Sequence, residues 1–561
     1  MTGSDGAVTV AFDVSARMRD GVILRANIYR PEGSGPWPTL LTRLPYGKDN
    51  PEQMRWLDPV QTARQGFMVV VQDTRGRYRS EGEWEPFKFE REDGYDAVEW
   101  AAQLPGSNGR VGMYGCSYVG MTQWLAALDQ PPALMAVAPG VTWSEPLDGW
   151  LGRGGALEFG LAIAGAMRMH GNQMERSCEP GDNLTRRMTL LFEAYDRLPV
   201  DGFWQLPVHE MAPLRQHGVA DIGTFSTLSA PIVAERCRVA GQHHKVTVPS
   251  LHIAGWYDCF LQGSLDNYVA MAALGREARL IVGPWRHDIA LSDPIGERCF
   301  GVQSAGVGVP AFEEGDLNDV QRAWFRRHVG SGEPTDMASS LAPVRIFVMG
   351  RNEWRDERAW PLERAAIERW FLGHDNSLRR EEATNDGAPS QFVYDPGDPV
   401  PTVGGQTLIA AAFPAGSFDQ RQVEGRDDVR LFTSNPLPAD LEVTGRVRVV
   451  LHVQSSASST DWVARLCDVL PDGRSFNLCD GILRVDEGAH EVCRIEIDLW
   501  STSNVFLAGH SIRLHVTSSS FPRWDRNLNT GNQHQASYRI ARQSVYHDAT
   551  RPSWVELPVV P

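Results

Sequence analysis

A hydroxyl, a carboxylate and an imidazole in the right places can carry out nucleophilic acyl transfer, and Ser117, Asp258 and His287 supply such a set. Ser117 stands in Val111-Gly-Met-Tyr-Gly-Cys-Ser-Tyr-Val-Gly120, between Gly115 and Gly120. A serine between small residues on a tight strand-to-helix turn is a nucleophile elbow, whose strained backbone lifts Oγ clear of the sheet. The helix that follows presents free N–H groups and its positive dipole end to a developing oxyanion. The usual pattern is G-x-S-x-G, but position 119 is Val and the glycine comes one residue later. Asp258 follows the run Pro249-Ser-Leu-His-Ile-Ala254, and His287 follows Ala278-Arg-Leu-Ile-Val282. Singly, Asp258 reads as well as a cap carboxylate, and His287 as a hydrogen-bonded core histidine. All three, however, fall at the C-terminal ends of predicted strands, the edge where open α/β sheets gather their reactive groups. In such a set the histidine takes the serine proton, and the aspartate fixes the imidazole tautomer.

The order Ser, Asp, His is the one expected of a triad on an α/β-hydrolase sheet. One oxyanion donor is then the backbone N–H of Tyr118. No HGGG loop follows the early strand; Pro45-Tyr46-Gly47-Lys48 stands there instead. The Tyr46 hydroxyl can serve as the second donor, or its ring can simply pack the loop. Metal catalysis is the rival chemistry. His243-His244 and His287-Asp288 are adjacent in sequence, not four apart on a helix face, and no HExxH occurs, so no metal and no cofactor are expected.

The elements that must position these groups can be read from apolar periodicity. Thr39–Arg43 and Gly66–Val71 are short apolar runs, the second continuous, as in a central parallel strand covered on both faces. Asp93–Leu104 has helical spacing and leads to the elbow strand, and Leu134–Ala138 is the next strand. Between about 145 and 240 good strand runs cease, and helical stretches near Ala156–Met169 and Leu184–Leu198 predict an inserted helical cap. Sheet character resumes through 241–357, with a helix over Val320–His328 and a strand over Val344–Met349. From 358 to 561 alternating strands dominate, as in Gly445–Val453 and Ser511–Thr517, and predict a β-sandwich of jelly-roll type. The expected fold is therefore an α/β-hydrolase core in two parts, 1–144 and 241–357, with a cap and a C-terminal β domain.

Composition narrows the partners. The 561 residues carry 54 basic and 70 acidic side chains, a net charge of −16, which argues against nucleic acid or an anionic membrane as the partner. No apolar run approaches the roughly 18 residues of a membrane span, and the N-terminus lacks the basic and apolar regions of a signal peptide. Eight scattered cysteines without CxxC spacing read as reduced thiols of a cytoplasmic protein. The expected partner is a small-molecule ester or amide; a homo-oligomer is left open.

The motifs resemble the CocE/NonD family of bacterial serine hydrolases, which includes cocaine esterase and glutaryl cephalosporin acylases and is related to α-amino acid ester hydrolases and X-prolyl dipeptidyl aminopeptidases. The likeness runs through Pro45–Lys48, Asp73-Thr-Arg-Gly-Arg77 with Ser80-Glu-Gly82, Gly115–Gly120, Gly255-Trp-Tyr-Asp258 and Gly283-Pro-Trp-Arg-His287. It continues in Met349–Trp354, Asp472-Gly-Arg474, Asp480–Arg484 and Ser518–Arg523. In that family the glycine at 120 is usual, and the tyrosine matching Tyr46 is the second oxyanion donor. Amino ester hydrolases carry acidic residues just after the triad aspartate, where this chain has Phe260 and Leu261. An apolar group there suits an uncharged acyl or aryl moiety. Trp150 is a further candidate for the pocket wall, and reads equally as a core tryptophan; Glu145, Asp148 and Glu158 could yet supply an acidic pocket. The resemblance implies a serine hydrolase, and the apolar residues at 260 and 261 favour a carboxylesterase for bulky or aromatic acyl esters. An amidase or acylase is the alternative, and a non-catalytic carbohydrate binder a reading of a different class.

Overall fold

A computed structural model describes residues 6–179, 181, 183–223, 225, 231–288, 294–330, 341–382, 387–532 and 534–561. Its first layer is a ten-stranded sheet built from β1 (Val8–Arg17), β2 (Ile23–Pro31), β3 (Trp37–Leu44), β4 (Met68–Asp73), β5 (Ser107–Cys116) and β6 (Leu134–Gly140). After an excursion containing the two-residue strands β7 (Gly152–Arg153) and β8 (Ala156–Leu157), it is completed by β9 (Ser250–Gly255), β10 (Ala278–Gly283), β11 (Val344–Val348) and β12 (Glu353–Glu357). The order is β1-β2-β4-β3-β5-β6-β9-β10-β11-β12. From β4 to β11 every pairing is parallel; β1, β2 and β12 are antiparallel.

Alternation along each strand explains why this sheet is covered on both sides. On one face Leu41, Met68, Val70, Val111, Met113 and Val282 pack under α2 (Glu90–Ala102), α3 (Tyr118–Leu128) and α8 (Leu261–Ala273; α4 to α7 are given below). On the other, Leu40, Val69, Val71, Tyr114, Ile253 and Ile281 meet α1 (Pro59–Arg64) and α9 (Leu317–Val329). The helix α9 begins in a capping box, Asp316 accepting from Asp319 N while Asp319 accepts from Asp316 N.

Between β6 and β9 the chain leaves the sheet and folds as α4 (Phe159–Arg176), α5 (Leu184–Asp196), α6 (Ala212–His217) and α7 (Ile232–Arg236). The sequence places the first of these helices near Ala156–Met169; it starts later because Ala156 and Leu157 pair with Gly152 and Arg153 across a Gly154-Gly155 turn. A Cβ on Gly154 would lie 1.9 Å from the Ile482 carbonyl oxygen, so the hairpin seats against the C-terminal part only because glycine stands there.

Beyond β12 the chain forms two sheets of seven and four strands. Trp370, Phe392, Val443, Val449 and Val555 of the first share one core with Phe432, Ala464, Leu466 and Leu514 of the second, which makes a β-sandwich. It is tied to the rest through polar groups. Arg153 Nη2 donates to the Asp480 carbonyl at 2.7 Å with its guanidinium 3.7 Å from the Trp500 ring centroid, and the Tyr257 hydroxyl donates to the Asn477 carbonyl at 3.2 Å.

Candidate active site

Ser117 sits at the junction of β5 and α3 with φ 62° and ψ −125°, a backbone conformation that L-residues adopt only when the surroundings hold them there. The turn is fixed from both sides. Ser117 N donates to the Gly140 carbonyl at 2.9 Å, and the Thr142 hydroxyl donates to the Ser117 carbonyl at 2.9 Å. The displaced glycine has a physical reason. A Cβ on Gly120 would stand 2.8 Å from Thr142 Cβ and 3.0 Å from the Gly140 oxygen, so α3 approaches the end of β6 at position 120, not 119. Val119 is accommodated because Gly115, at φ 132°, has no Cβ to meet it.

Asp258 and His287 come from the loops after β9 and β10. The loops lie together because Tyr257 N donates to the Trp285 carbonyl at 2.9 Å, and Gly255 leaves room for that carbonyl, which a Cβ would meet at 2.4 Å. His287 Nδ1 lies 2.6 Å from Asp258 Oδ1. The other carboxylate oxygen accepts from Phe260 N at 2.9 Å, and Asp258 is fully buried. His287 keeps part of its ring exposed, and the buried Cys259 thiol is 3.8 Å from Nδ1. Burial pushes that thiol well above its usual range, so it stays protonated. Asp258, Cys259 and His287 are also, among the described residues, the one cluster whose donor atoms lie close enough together to hold a metal. The Nδ1–carboxylate hydrogen bond already engages both of its hard donors.

Tyr46 lies in the loop after β3. Lys48 N donates to Asp73 Oδ1 at 2.6 Å and Thr74 N to the Leu44 carbonyl at 3.1 Å, which pins this loop to the end of β4. The Tyr46 hydroxyl lies against the Ser117 side chain. Burial pushes it up to about 12, so at neutral pH it is a protonated donor. Tyr118 opens α3, where N–H groups have no acceptor within the helix. Its own hydroxyl points elsewhere, donating to Glu90 Oε1 at 3.0 Å.

Ser117, Tyr46, Tyr118 and His287 share one cavity of about 730 Å³. Its wall includes a continuous run of rings. Tyr118 stacks on Phe87 at 4.0 Å, Phe87 meets Trp150 edge-on at 5.3 Å, Trp150 stacks on Trp143 at 4.8 Å, and Trp143 meets Phe260 at 5.0 Å. Phe260 in turn packs 5.3 Å from His287. Trp150 and Phe260 thus line the cavity, as do Phe87 and Trp143, which sequence reasoning passed over. Leu261 does not belong with them. It is the first residue of α8, fully buried in the core beneath the sheet, and it is absent from the cavity wall.

The three acidic candidates are also engaged away from the cavity. Glu145 pairs with Arg238 at 2.8 Å, Glu158 accepts from Trp524 Nε1 at 2.9 Å, and Asp148 is half-buried beside the Arg153 cation. Residues 407–411 and 413–415, from the C-terminal part, close another side of the cavity, a contribution that no motif signalled.

Residues 20–288 match the X-Pro dipeptidyl-peptidase family S15, and residues 337–556 match the X-Pro dipeptidyl-peptidase C-terminal non-catalytic domain. The chain is 35% identical to cocaine esterase of Rhodococcus sp. (strain MB1 Bresler) over 592 aligned positions, covering 99% of each protein. It belongs to the CocE/NonD family of serine hydrolases. Solved structures agree on the fold of this CocE/NonD hydrolase. An aminopeptidase from a marine sediment Thaumarchaeota archaeon superposes with a TM-score of 0.82 at 25% identity, covering 100% of this chain and 98% of the other. An α-amino acid ester hydrolase gives 0.80 at 23% identity, with the same coverage.

Proposed function

We propose that the chain is a serine carboxylesterase for esters with bulky or aromatic acyl groups, with Ser117 as nucleophile, His287 as general base and acid, and Asp258 as its partner. The observation that carries this reading is the elbow serine sharing an aromatic-walled cavity with a histidine whose Nδ1 is bonded to a buried carboxylate. Ser117 Oγ attacks the ester carbonyl while His287 Nε2 takes its proton, and the oxyanion accepts from the Tyr46 hydroxyl and Tyr118 N–H. The imidazolium then protonates the departing alkoxide, leaving an acyl-enzyme. Water, deprotonated by the same imidazole, attacks the acyl carbon, and Ser117 leaves with the proton. Among the described residues no hydrogen bond joins Ser117 Oγ to His287; such bonds often tighten only with substrate bound.

Aromatic substrates are favoured by the ring wall, and an ammonium finds little to pair with it. Among the described residues two acids line the cavity, Glu52 and Asp288, and Asp288 is bridged to Arg286 at 3.2 Å. A second reading, an acylase for acyl groups ending in a carboxylate, is favoured by Arg168, which lines the cavity from α4 and meets no carboxylate among the described residues. We also propose a cytoplasmic location. All eight cysteines are free, as suits a reducing compartment, and no described helix is long and apolar enough to cross a membrane.

A fluorophosphonate probe should give a single adduct on the peptide containing Ser117, and none in Ser117→Ala. An adduct that persists in Ser117→Ala refutes the nucleophile.

A further inference from the structure

We infer that Arg77 is a positioning residue for the oxyanion donor Tyr46, clamping the Tyr46 loop to the cap and holding an uncompensated positive charge beside it. This rests on the reading of Tyr46 as the donor.

Arg77 is 1% exposed, and a guanidinium that deep in a protein is ordinarily paired with a carboxylate. Arg75, two residues earlier, obeys the rule and bridges Asp93 and Asp20. Arg77 does not: among the described residues no acid lies within ion-pair distance of it. Its Nε donates to the Pro45 carbonyl at 2.8 Å and its Nη1 to the Met169 carbonyl at 3.0 Å. The Trp84 and Tyr78 rings stand 4.9 and 5.7 Å from the guanidinium carbon.

The two carbonyls make the case for positioning. Pro45 immediately precedes Tyr46, and Met169 lies on α4, the helix that roofs the cavity. One rigid fork therefore spans the loop and the cap, and sets where the tyrosine hydroxyl points. A lysine ammonium, a single point donor, lacks the planar fork that serves both carbonyls.

The missing counter-ion makes the case for charge. Arg77 lines the same cavity as Ser117 and Tyr46, and its charge, with the larger effect of the Arg168 cation, is felt at the Tyr46 hydroxyl. In the resting enzyme a buried, unpaired cation is a cost. When the carbonyl oxygen becomes an oxyanion the cost is relieved, so the stabilisation is greater in the transition state than in the ground state. An aspartate or glutamate beside Arg77 would cancel this difference.

The test is a double-mutant cycle on a neutral aryl ester, with Arg77→Met and Arg77→Lys each made alone and together with Tyr46→Phe. Tyr46→Phe is expected to lower kcat by roughly 10²–10³-fold. Arg77→Met should lower kcat on the order of tenfold with KM within about twofold, and Arg77→Lys should recover part of the loss. Affinity for an arylboronic acid, which mimics the tetrahedral oxyanion adduct, should fall in step with kcat/KM. In the Tyr46→Phe background the Arg77 substitutions should cost much less, because the group they act through is gone.

Equal losses in both backgrounds, or a loss in KM alone, overturn the inference. Where Arg77→Met does not fold, Arg77→Lys carries the same cycle, and absence of coupling there is equally decisive. If Tyr46→Phe itself retains full kcat, the donor assignment falls first. If Tyr46→Phe is costly and uncoupled from Arg77, only the present inference fails.

Discussion

Asp258→Asn replaces one oxygen by NH₂, and the surroundings of Asp258 dictate which one. Oδ2 accepts from Phe260 N at 2.9 Å, and Oδ1 faces His287 Nδ1 at 2.6 Å. An amide NH₂ turned toward Phe260 would set two donors against each other in a fully buried site. The amide oxygen therefore stays with Phe260, and the NH₂ donates to Nδ1. That fixes the proton of the neutral imidazole on Nε2, the atom that must accept the Ser117 proton, so the base is held in the wrong tautomer. The expected loss in kcat is about 10⁴-fold, on the order of 5.5 kcal/mol at 1.36 kcal/mol per tenfold. The assay is steady-state hydrolysis of an aryl benzoate. Thermal unfolding of the variant shows that the fold is kept, and single-turnover acylation shows that the loss lies in the chemical step. Activity within tenfold of the parent in a folded Asp258→Asn enzyme would refute both the amide orientation and the role of the pair.

Asp73→Asn tests the Tyr46 loop from below: burial raises the Asp73 carboxyl to about 6 from 3.8, so its ionised form burdens the fold above pH 6. The wild type gains stability as pH falls from about 6 toward 3.8; Asp73→Asn should therefore be the more stable at pH 8, by on the order of 2–3 kcal/mol less the cost of the Arg79 N–H losing its acceptor, seen as a higher Tm, and lose that advantage by pH 4. A Tm difference in favour of Asp73→Asn that grows on acidification would contradict this. For specificity, burying a phenyl acyl group of roughly 100 Å² at about 25 cal/mol/Å² favours a benzoate over an acetate by roughly 50- to 100-fold in kcat/KM. The α-amino counterpart of the acyl group should fall below the neutral one, and a preference for the amino ester or for an X-Pro anilide would overturn the aromatic-acyl reading.

The parts of the fold that the sequence announced are those decided by short-range rules. Gly66–Val71 had to be a central strand because five successive apolar side chains can be buried only where both faces are covered, and β4 is buried throughout. Ser117, Asp258 and His287 were legible because each follows such a run. The pocket was not, because a side chain's direction at a loop–helix junction depends on tertiary packing. Phe260 and Leu261 are neighbours in sequence, yet one faces His287 and the other enters the core beneath α8. Likewise Glu158 reads as a candidate for an acidic pocket until Trp524, more than three hundred residues later, is seen to donate to it. Phe87 and Trp143 carry no motif at all; what makes them pocket residues is that their rings touch Tyr118, Trp150 and Phe260.

The division between legible and illegible has a functional meaning. The groups proposed to do chemistry follow the C-terminal ends of strands in one parallel sheet, whose backbone hydrogen bonds set where each loop begins. The walls that choose the substrate come from elsewhere: α4 brings Leu161 and Arg168, and the C-terminal part brings Leu408, Ile409 and Phe413. These walls are held to the sheet by contacts outside the Ser117, Asp258 and His287 set, such as Gln406 Nε2 donating to the Trp256 carbonyl at 3.1 Å, two residues before Asp258, and Arg176 Nη1 of α4 donating to the Tyr78 carbonyl at 2.7 Å. Substitutions in α4 or in residues 407–415 can therefore reshape the acyl site while leaving the Ser117 elbow and the Asp258–His287 pair untouched. That is how one arrangement of serine, histidine and aspartate can serve different substrates, and why the identity of the acyl group has to be read from the cavity and not from the motifs.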